Sequence, residues 1–244
     1  MEQLTTIFWK SIKRPFSNWR ILLLSILFFA RIPFLYIITG FLAMGYILKV
    51  GEFTQKGKWE LPSWNNFLEL FKRGFYGWLI VSIYFLPTIL ISLILYFWFG
   101  GFPKFGDIFG LINYFSGLLA ILGNVGYLLV FLLLISYIVG LYLIPCALLE
   151  YVREYNFSSA FNLRSKNLFS KRYTISWILL EIIPLTIITA ISFLREQYYT
   201  IVVSASPIKY LFFILIYLII AFKEYFVNVL SYSVYASVLN KKRR

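Results

Sequence analysis

Long apolar stretches constrain this chain more than any other feature of its sequence. Of the 244 residues, 61% are hydrophobic and 14% are charged, whereas a soluble domain is typically about half apolar and about a quarter charged. A helix needs about 20 apolar residues to cross the hydrocarbon layer of a bilayer. The stretches that meet this length are 74–100, 125–149, 173–194 and 209–231. The sequence therefore predicts an all-α, polytopic integral membrane protein with about four spanning helices.

A fifth apolar stretch, 21–50, predicts a re-entrant helical hairpin. It is interrupted at Arg31-Ile32-Pro33, and proline removes a backbone donor and disfavours helix in the residue before it. At about 1.5 Å per residue the stretch is too short for two spans and a turn. Gly40 and Gly45, in its second arm, predict close helix packing.

Basic residues assign a side of the membrane to each connection. Most of the 23 Lys and Arg residues lie between the apolar stretches or near the chain ends, and such residues favour the cytoplasm. The prediction is one membrane domain, 1–244, that is multi-pass in the cell membrane with both termini cytoplasmic. Outside the hairpin and the spans, this domain has an interfacial amphipathic helix at 1–20, a cytoplasmic loop and amphipathic helix at 51–73, and a cytoplasmic segment at 150–172.

Three segments just before apolar stretches share a pattern of two phenylalanines eight residues apart with basic residues between them. They are Phe8 to Phe16, Phe67 to Phe75, and Phe161 to Phe169. Aromatic faces combined with basic faces are typical of helices that lie in the membrane interface. Two origins of the pattern remain open: internal duplication, or the ordinary enrichment of aromatic and basic residues at a cytoplasmic interface.

The net charge of +13 favours the anionic inner leaflet as the partner of these segments. We therefore expect membrane lipids as partners, with other membrane subunits or a homo-oligomer as further candidates, and no nucleic acid. The basic residues expected to contact the lipid surface are Lys10, Lys13, Arg14, Lys72, Arg73, Lys171 and Arg172.

Four charged residues lie away from the ends of the apolar stretches and are candidate intramembrane sites: Arg31, Glu181, Lys223 and Glu224. Each costs about 2.5–3.5 kcal/mol or more at the centre of a membrane unless it is compensated. An Arg31–Glu181 pair is either a substrate or proton site at a broken helix or a structural bridge from the hairpin to the stretch 173–194. Lys223 can snorkel to the interface, and Glu224 can follow it if the last helix extends into the cytosol.

The residue composition argues against most enzymes. The chain has no histidine, a single cysteine, Cys146, and a single aspartate, Asp107, so it has no Ser-His-Asp triad, no histidine metal site and no intramolecular disulfide. It also lacks a Gly-rich phosphate-binding motif. We expect no catalytic residue, no cofactor and no metal.

One stretch, 45–75, carries a family resemblance. The matching residues are Gly45, Tyr46, Glu60, Leu61, Pro62, Trp64, Leu70, Phe71, Lys72 and Gly74. The stretch resembles the hallmark of a prokaryotic, archaeal-type family of polytopic membrane proteins filed as domain of unknown function 4013. Asn65 and Asn66 stand where the family usually has acidic residues. The resemblance implies fold and topology and carries no catalytic residue.

These observations favour a non-enzymatic integral membrane protein, a scaffold or accessory subunit that organises the membrane or a membrane complex. The alternative is a small carrier or channel for an anionic solute or lipid headgroup that uses Arg31 and Glu181 at the midplane. A third class, a lipid-modifying enzyme, requires a nucleophile or metal cluster that the sequence does not show.

Overall fold

The computed structural model describes residues 4–30, 35–99, 116–117, 123–162, 169–180 and 207–240. Every regular element in these ranges is helical and none is a strand, which confirms the all-α class. The helices are α1 (Leu4–Lys13), α2 (Trp19–Phe29), α3 (Tyr36–Gln55), α4 (Phe67–Tyr84), α5 (Leu86–Phe99), α6 (Asn124–Glu154), α7 (171–180) and α8 (Pro207–Asn240). Short 3-10 helices occur at Arg14–Phe16 and Phe157–Phe161.

Within the described ranges, two helices are long and apolar enough to cross a bilayer. They are Ile37–Gln55 of α3 and the whole of α6. A third candidate is the bent pair formed by α4 and Leu86–Phe97. The described residues therefore contain two or three candidate spans, which is consistent with a membrane protein. The expected number of about four is not confirmed, and residues 181–194 of one expected span lie outside the described part of the chain.

The stretch 74–100, expected as one span, is divided between α4 and α5. Helix α4 begins already at Phe67, so the expected amphipathic helix and the first part of the expected span form one continuous helix. The interruption falls at Phe85, just before Pro87. Proline has no amide proton for the carbonyl four residues earlier, and its ring clashes with that carbonyl. Pro87 is tolerated in the first turn of α5, where backbone amides lack helical partners anyway.

The expected hairpin, 21–50, contains two helices of unequal length. At about 1.5 Å per residue, α2 is about 16 Å long and α3 about 30 Å, and α3 continues past the expected end at 50 to Gln55. The side chain of Asn18 caps α2 by accepting hydrogen bonds from the amides of Arg20 and Ile21. The turn itself, with Arg31, lies outside the described residues.

The chain divides into two compact units. The first contains Met1–Ile80, Pro145–Leu180 and Ser204–Arg244, and in it α8 packs against α1, α2 and α3. The second contains Val81–Ile144 and Glu181–Val203. In the second unit, α5 and α6 pack through the fully buried Leu95 and Leu133. A hydrogen bond of 2.9 Å between the hydroxyls of Thr88 and Ser136 joins the same two helices.

Two glycines allow α3 and α4 to touch backbone to backbone in the first unit. A Cβ atom on Gly45 would lie 1.9 Å from the carbonyl oxygen of Leu70, and one on Gly74 would lie 1.7 Å from that of Phe41. No larger residue fits at either position without moving a helix. The predicted packing role is thus confirmed for Gly45 and is wrong for Gly40, where a Cβ would meet nothing within 4 Å.

Candidate functional site

Arg14 lies in the interior of the first unit, with 3% of its surface exposed. Its Nη1 atom donates to Thr54 Oγ1 at 2.5 Å and to Ser233 Oγ at 2.7 Å. Both hydroxyls donate their own protons to carbonyl oxygens four residues earlier in their helices, so their lone pairs are available to the guanidinium. Its Nη2 atom donates to the carbonyl oxygen of Glu60 at 2.9 Å. Arg14 therefore ties the N-terminal segment to α3, to the loop after it and to α8.

The prediction that Arg14 contacts the lipid surface is wrong. The buried residues of α1 are Ile7 and Ser11, and Arg14 follows Ser11 by three positions, on the same side of a helix. The residue therefore continues the buried face of α1. Burial lowers the pKa of Arg14 to about 10, partly offset by the nearby tyrosines Tyr46 and Tyr225. The side chain remains a cation at neutral pH.

A second polar cluster joins α3, α4 and the turn after α6. Arg73 Nη1 lies 2.8 Å from Glu52 Oε2, and Arg73 also pairs with Glu69. The Arg73 guanidinium carbon lies 4.0 Å from the ring centre of Tyr155, whose hydroxyl donates to Glu52. Lys56 completes the cluster by pairing with Glu52 at 2.5 Å.

This cluster changes the interpretation of two residues. Arg73 was expected to contact the lipid surface, but its side chain is only 16% exposed and pairs with the carboxylates of Glu52 and Glu69. Tyr155 was not predicted at all. Burial, followed by the hydrogen bond to Glu52, raises the pKa of the Tyr155 hydroxyl above its ordinary value. Its backbone φ of 49° lies in the left-handed region, which a non-glycine residue occupies at a cost.

The residues behind the family resemblance meet in space. Tyr46 stacks on Trp64 with 4.2 Å between ring centres and 3° between planes. Trp64 Nε1 donates to Ser25 Oγ at 3.0 Å, and Phe28 stacks on the same indole ring at 4.6 Å between ring centres. The Gly-Tyr end of the motif and its Leu-Pro-x-Trp loop are thus one packing unit that holds α2 against α3.

Exposed aromatic and basic residues alternate on three segments of the first unit, which we call the aromatic–basic segments. In the first, Trp9 and Trp19 are each 65% exposed and lie beside the exposed Lys10 and Lys13. In the second, Phe67 and Phe75 are exposed, with the exposed Lys72 between them. In the third, Phe169 is 86% exposed and is followed by the exposed Lys171 and Arg172. Five of the seven expected surface cations are thus exposed: Lys10, Lys13, Lys72, Lys171 and Arg172.

The structure describes two of the four intramembrane candidates, Lys223 and Glu224. Arg31 and Glu181 lie outside the described residues, so their pairing remains a prediction. Lys223 and Glu224 lie on α8 and are partly buried, and the carbonyl oxygen of Glu224 accepts a hydrogen bond from Asn228 Nδ2 at 2.7 Å. Helix α8 continues past both residues to Asn240. That Lys223 snorkels to the interface and that Glu224 follows it into the cytosol stays a prediction.

Metal ligands do not assemble in the described part of the chain. No group of three or more His, Cys, Asp or Glu side chains able to hold a metal ion occurs there. Cys146 is buried and forms no disulfide.

The features above define a helical protein with exposed aromatic–basic segments and, among its described residues, two or three candidate membrane spans. The family model described as "Protein of unknown function (DUF4013)" matches residues 21–195, which is most of the chain. The chain therefore belongs to this family, and the family resemblance is confirmed. No curated protein and no solved structure matches the chain.

Proposed function

We propose that this chain is a non-enzymatic integral membrane protein that organises anionic lipid, as a scaffold or as the accessory subunit of a membrane complex. The observation that supports this most is the exposure of bulky aromatic residues beside lysines and arginines on three separate segments of one unit. Tryptophan and phenylalanine next to basic residues are characteristic of surfaces that lie in the membrane interface.

Contacts between the basic segments support a common side of the membrane for them. Arg14 of the N-terminal segment bonds to the backbone of Glu60 and, near the end of α8, to Ser233. Tyr155, in the segment after α6, bonds to Glu52 and Arg73. Such contacts are expected if these basic segments share one aqueous compartment. The positive-inside rule makes that compartment the cytoplasm.

The exposed basic residues favour anionic over zwitterionic lipid. Each exposed Lys or Arg near an anionic membrane surface contributes about 1 kcal/mol of attraction. Arg14 and Arg73 are bonded within the protein. The exposed lysines and Arg172 therefore supply the positive charge that attracts the lipid. Burying the exposed indoles of Trp9 and Trp19 at headgroup level adds an apolar contribution.

The test measures which lipids the protein gathers. The full chain is reconstituted into vesicles of mixed zwitterionic and anionic lipid, and clustering of a fluorescent anionic lipid is followed by energy transfer. We expect clustering by the wild type and a several-fold loss in the double variant Lys10→Glu with Lys13→Glu. The matched control, Lys10→Arg with Lys13→Arg, keeps the charge and should keep the clustering. Equal behaviour of zwitterionic and anionic lipids would contradict the proposal.

A transport assay on the same vesicles addresses the alternative function. If the protein conducts an anionic solute and Arg31→Ala abolishes the flux while the chain still folds, the carrier interpretation replaces the scaffold. Absence of flux, together with anionic lipid clustering, favours the scaffold.

A further inference from the structure

The arms of the hairpin, α2 and residues 36–48 of α3, are both too short to cross a bilayer. At about 1.5 Å per residue they are about 16 Å and about 20 Å long, whereas the hydrocarbon layer is about 30 Å thick. The rest of α3 has polar partners: Lys49 Nζ donates to the carbonyl oxygen of Ser63 at 3.2 Å, and Glu52 pairs with Arg73. Helix α3 as a whole is long enough to span, but its apolar part is not.

The polar ends of the two arms lie together. Arg14, shortly before α2, donates to Thr54 Oγ1 near the end of α3 at 2.5 Å. At the start of α2, the guanidinium carbon of Arg20 lies 5.6 Å from the ring centre of Trp19, and both residues are exposed. Tryptophan and arginine side by side are typical of the membrane interface. This end of the hairpin therefore suits the level of the lipid headgroups.

The opposite ends of the arms expose bulky apolar side chains. Leu27, near the end of α2, is 54% exposed, and Leu35 and Ile37, at the start of α3, are 46% and 69% exposed. Among the described residues between Arg20 and Lys49, none is charged. Apolar surface of this kind is favourable in hydrocarbon and unfavourable in water. The hairpin is thus polar at one end and apolar at the other.

Helix α2 buries one side against the protein and exposes the other. Ser25 and Phe29 are buried, and Phe29 packs edge-on against Tyr225 of α8 with 5.7 Å between ring centres. Leu23 and Leu27, one helical turn apart, are 57% and 54% exposed. Because its inner side is held by the protein, α2 has a fixed outer side that displaces lipid.

We propose that this hairpin inserts only into the leaflet next to the aromatic–basic segments, and that the protein therefore concentrates in membrane that is convex on that side. Each arm adds a cylinder about 10–12 Å across to one leaflet and nothing to the other. Binding of helices that lie in one leaflet is sensitive to curvature, because bending makes room for the added cross-section. A helix that crosses both leaflets adds equally to each. The inference rests on the membrane location in the proposed function, but not on its preference for anionic lipid.

The test counts protein on single vesicles of different diameter. The full chain with Cys146→Ala and Lys58→Cys is reconstituted into purely zwitterionic vesicles that cover a wide range of sizes. An impermeant fluorescent maleimide then labels only the molecules whose loop after α3 faces outward. We expect the labelled density per unit of membrane area to be several-fold higher on the smallest vesicles than on the largest.

Two triple variants separate the hairpin from other lipid-facing surface. Each truncates two exposed leucines and one exposed isoleucine to alanine. The residues are Leu23, Leu27 and Ile37 in the hairpin variant, and Leu128, Leu132 and Ile135 of α6 in the control. We expect a smaller density ratio in the hairpin variant, because apolar volume is lost from one leaflet only. The control should keep the wild-type ratio, because α6 is a candidate span and contributes to both leaflets.

A spin label at position 37 measures the depth of the hairpin directly. In Cys146→Ala with Ile37→Cys, power saturation compares the access of oxygen, which is enriched in hydrocarbon, with that of a water-soluble nickel complex. We expect a depth near the bilayer midplane. A label in the headgroup region of the opposite leaflet would show that α3 crosses the membrane, and the proposal would then be wrong.

Three further results would overturn the proposal: a labelled density that does not depend on diameter, a hairpin variant with the wild-type ratio, and a control variant that loses as much as the hairpin variant. The proposed lipid function fails separately. If the wild type does not cluster anionic lipid but keeps its preference for small zwitterionic vesicles, the lipid function is contradicted and the one-leaflet hairpin is supported.

Discussion

Single residues in this protein are fixed by partners that are distant in the chain. Arg14 lies 40 positions from Thr54 and 219 from Ser233, and these two hydroxyls account for its burial. The basic run Lys13-Arg14 looks the same in sequence as any interfacial cation pair. The three- and four-residue spacing of Ile7, Ser11 and Arg14 was the only local signal of a shared buried face, and it becomes informative only once α8 is known to pack there.

Replacing Arg14 should therefore destabilise the fold strongly. In Arg14→Gln, the hydroxyls of Thr54 and Ser233 lose their charged donor inside the protein, and we expect a loss of about 2–4 kcal/mol. Chemical or thermal unfolding in detergent measures the change. The exposed neighbour gives the control: Lys13→Gln should remain within about 0.5 kcal/mol of the wild type. Equal stability of the two variants would show that the buried bonds of Arg14 contribute little.

The hydroxyl of Tyr155 should make stability fall at alkaline pH. Its pKa is raised in the folded state, so the folded protein keeps the proton where the unfolded chain, with an ordinary value of about 10, releases it. The contribution is fully present below pH 10 and declines as the pH rises above that value.

Comparison of Tyr155→Phe with the wild type isolates this effect. We expect the variant to be less stable by about 1–2 kcal/mol at pH 8, because Glu52 loses a donor, and the difference to shrink between pH 10 and 11. A difference that stays constant over this range would argue against the proton linkage.

At the scale of elements, the apolar periodicity predicts the helices well and their interruptions less well. The span expected at 125–149 corresponds to α6, which extends to Glu154 because no helix-breaking residue follows Leu149. The stretch 74–100 breaks at Phe85 because of Pro87, whereas Pro145 lies inside α6 without ending it. Whether a proline ends a helix or is accommodated inside it therefore depends on the packing around it.

The crossing of α3 and α4 should tolerate no side chain at its two glycines. In Gly45→Ala and in Gly74→Ala the new methyl group would overlap a backbone carbonyl, and separating the helices is expected to cost about 1–3 kcal/mol or more. Unfolding measurements on each variant test this.

Gly40 provides the control for this crossing. It lies on the same helix with open space around it, so Gly40→Ala should be neutral, or stabilising by up to about 1 kcal/mol through its better helix propensity. A loss in Gly40→Ala as large as that in Gly45→Ala would show that the effect is not steric.

At the scale of the whole molecule, the charge pattern predicts which segments share a side of the membrane. The sequence alone identifies the segments, because lysines and arginines are concentrated there. It cannot identify the contacts that join them, such as Tyr155 with Glu52, which are 103 positions apart. Arg31 and Glu181 themselves lie outside the described residues, so their pairing stays a prediction.

Cysteine labelling tests the shared side. In a Cys146→Ala background, single cysteines replace Thr5, Lys58 and Phe169, all of which are exposed. An impermeant maleimide added to sealed, oriented vesicles should label all three from one face. A fourth single cysteine at residue 209, where the predicted last span 209–231 begins on the face opposite the cytoplasmic C-terminus, should be labelled only from the other face. Labelling of positions 5 and 58 from different faces would refute the re-entrant reading of 21–50.

The bond from Arg14 to Ser233 has a consequence for biogenesis. During translation the arginine leaves the ribosome more than two hundred residues ahead of the serine that will hold it. Until the final helix has been inserted, Arg14 can bond to Thr54 and Glu60 but lacks its partner on α8. Closure of this junction is therefore a late step of maturation, and a nascent chain stalled before residue 233 should leave its N-terminus open to proteases that the finished protein resists.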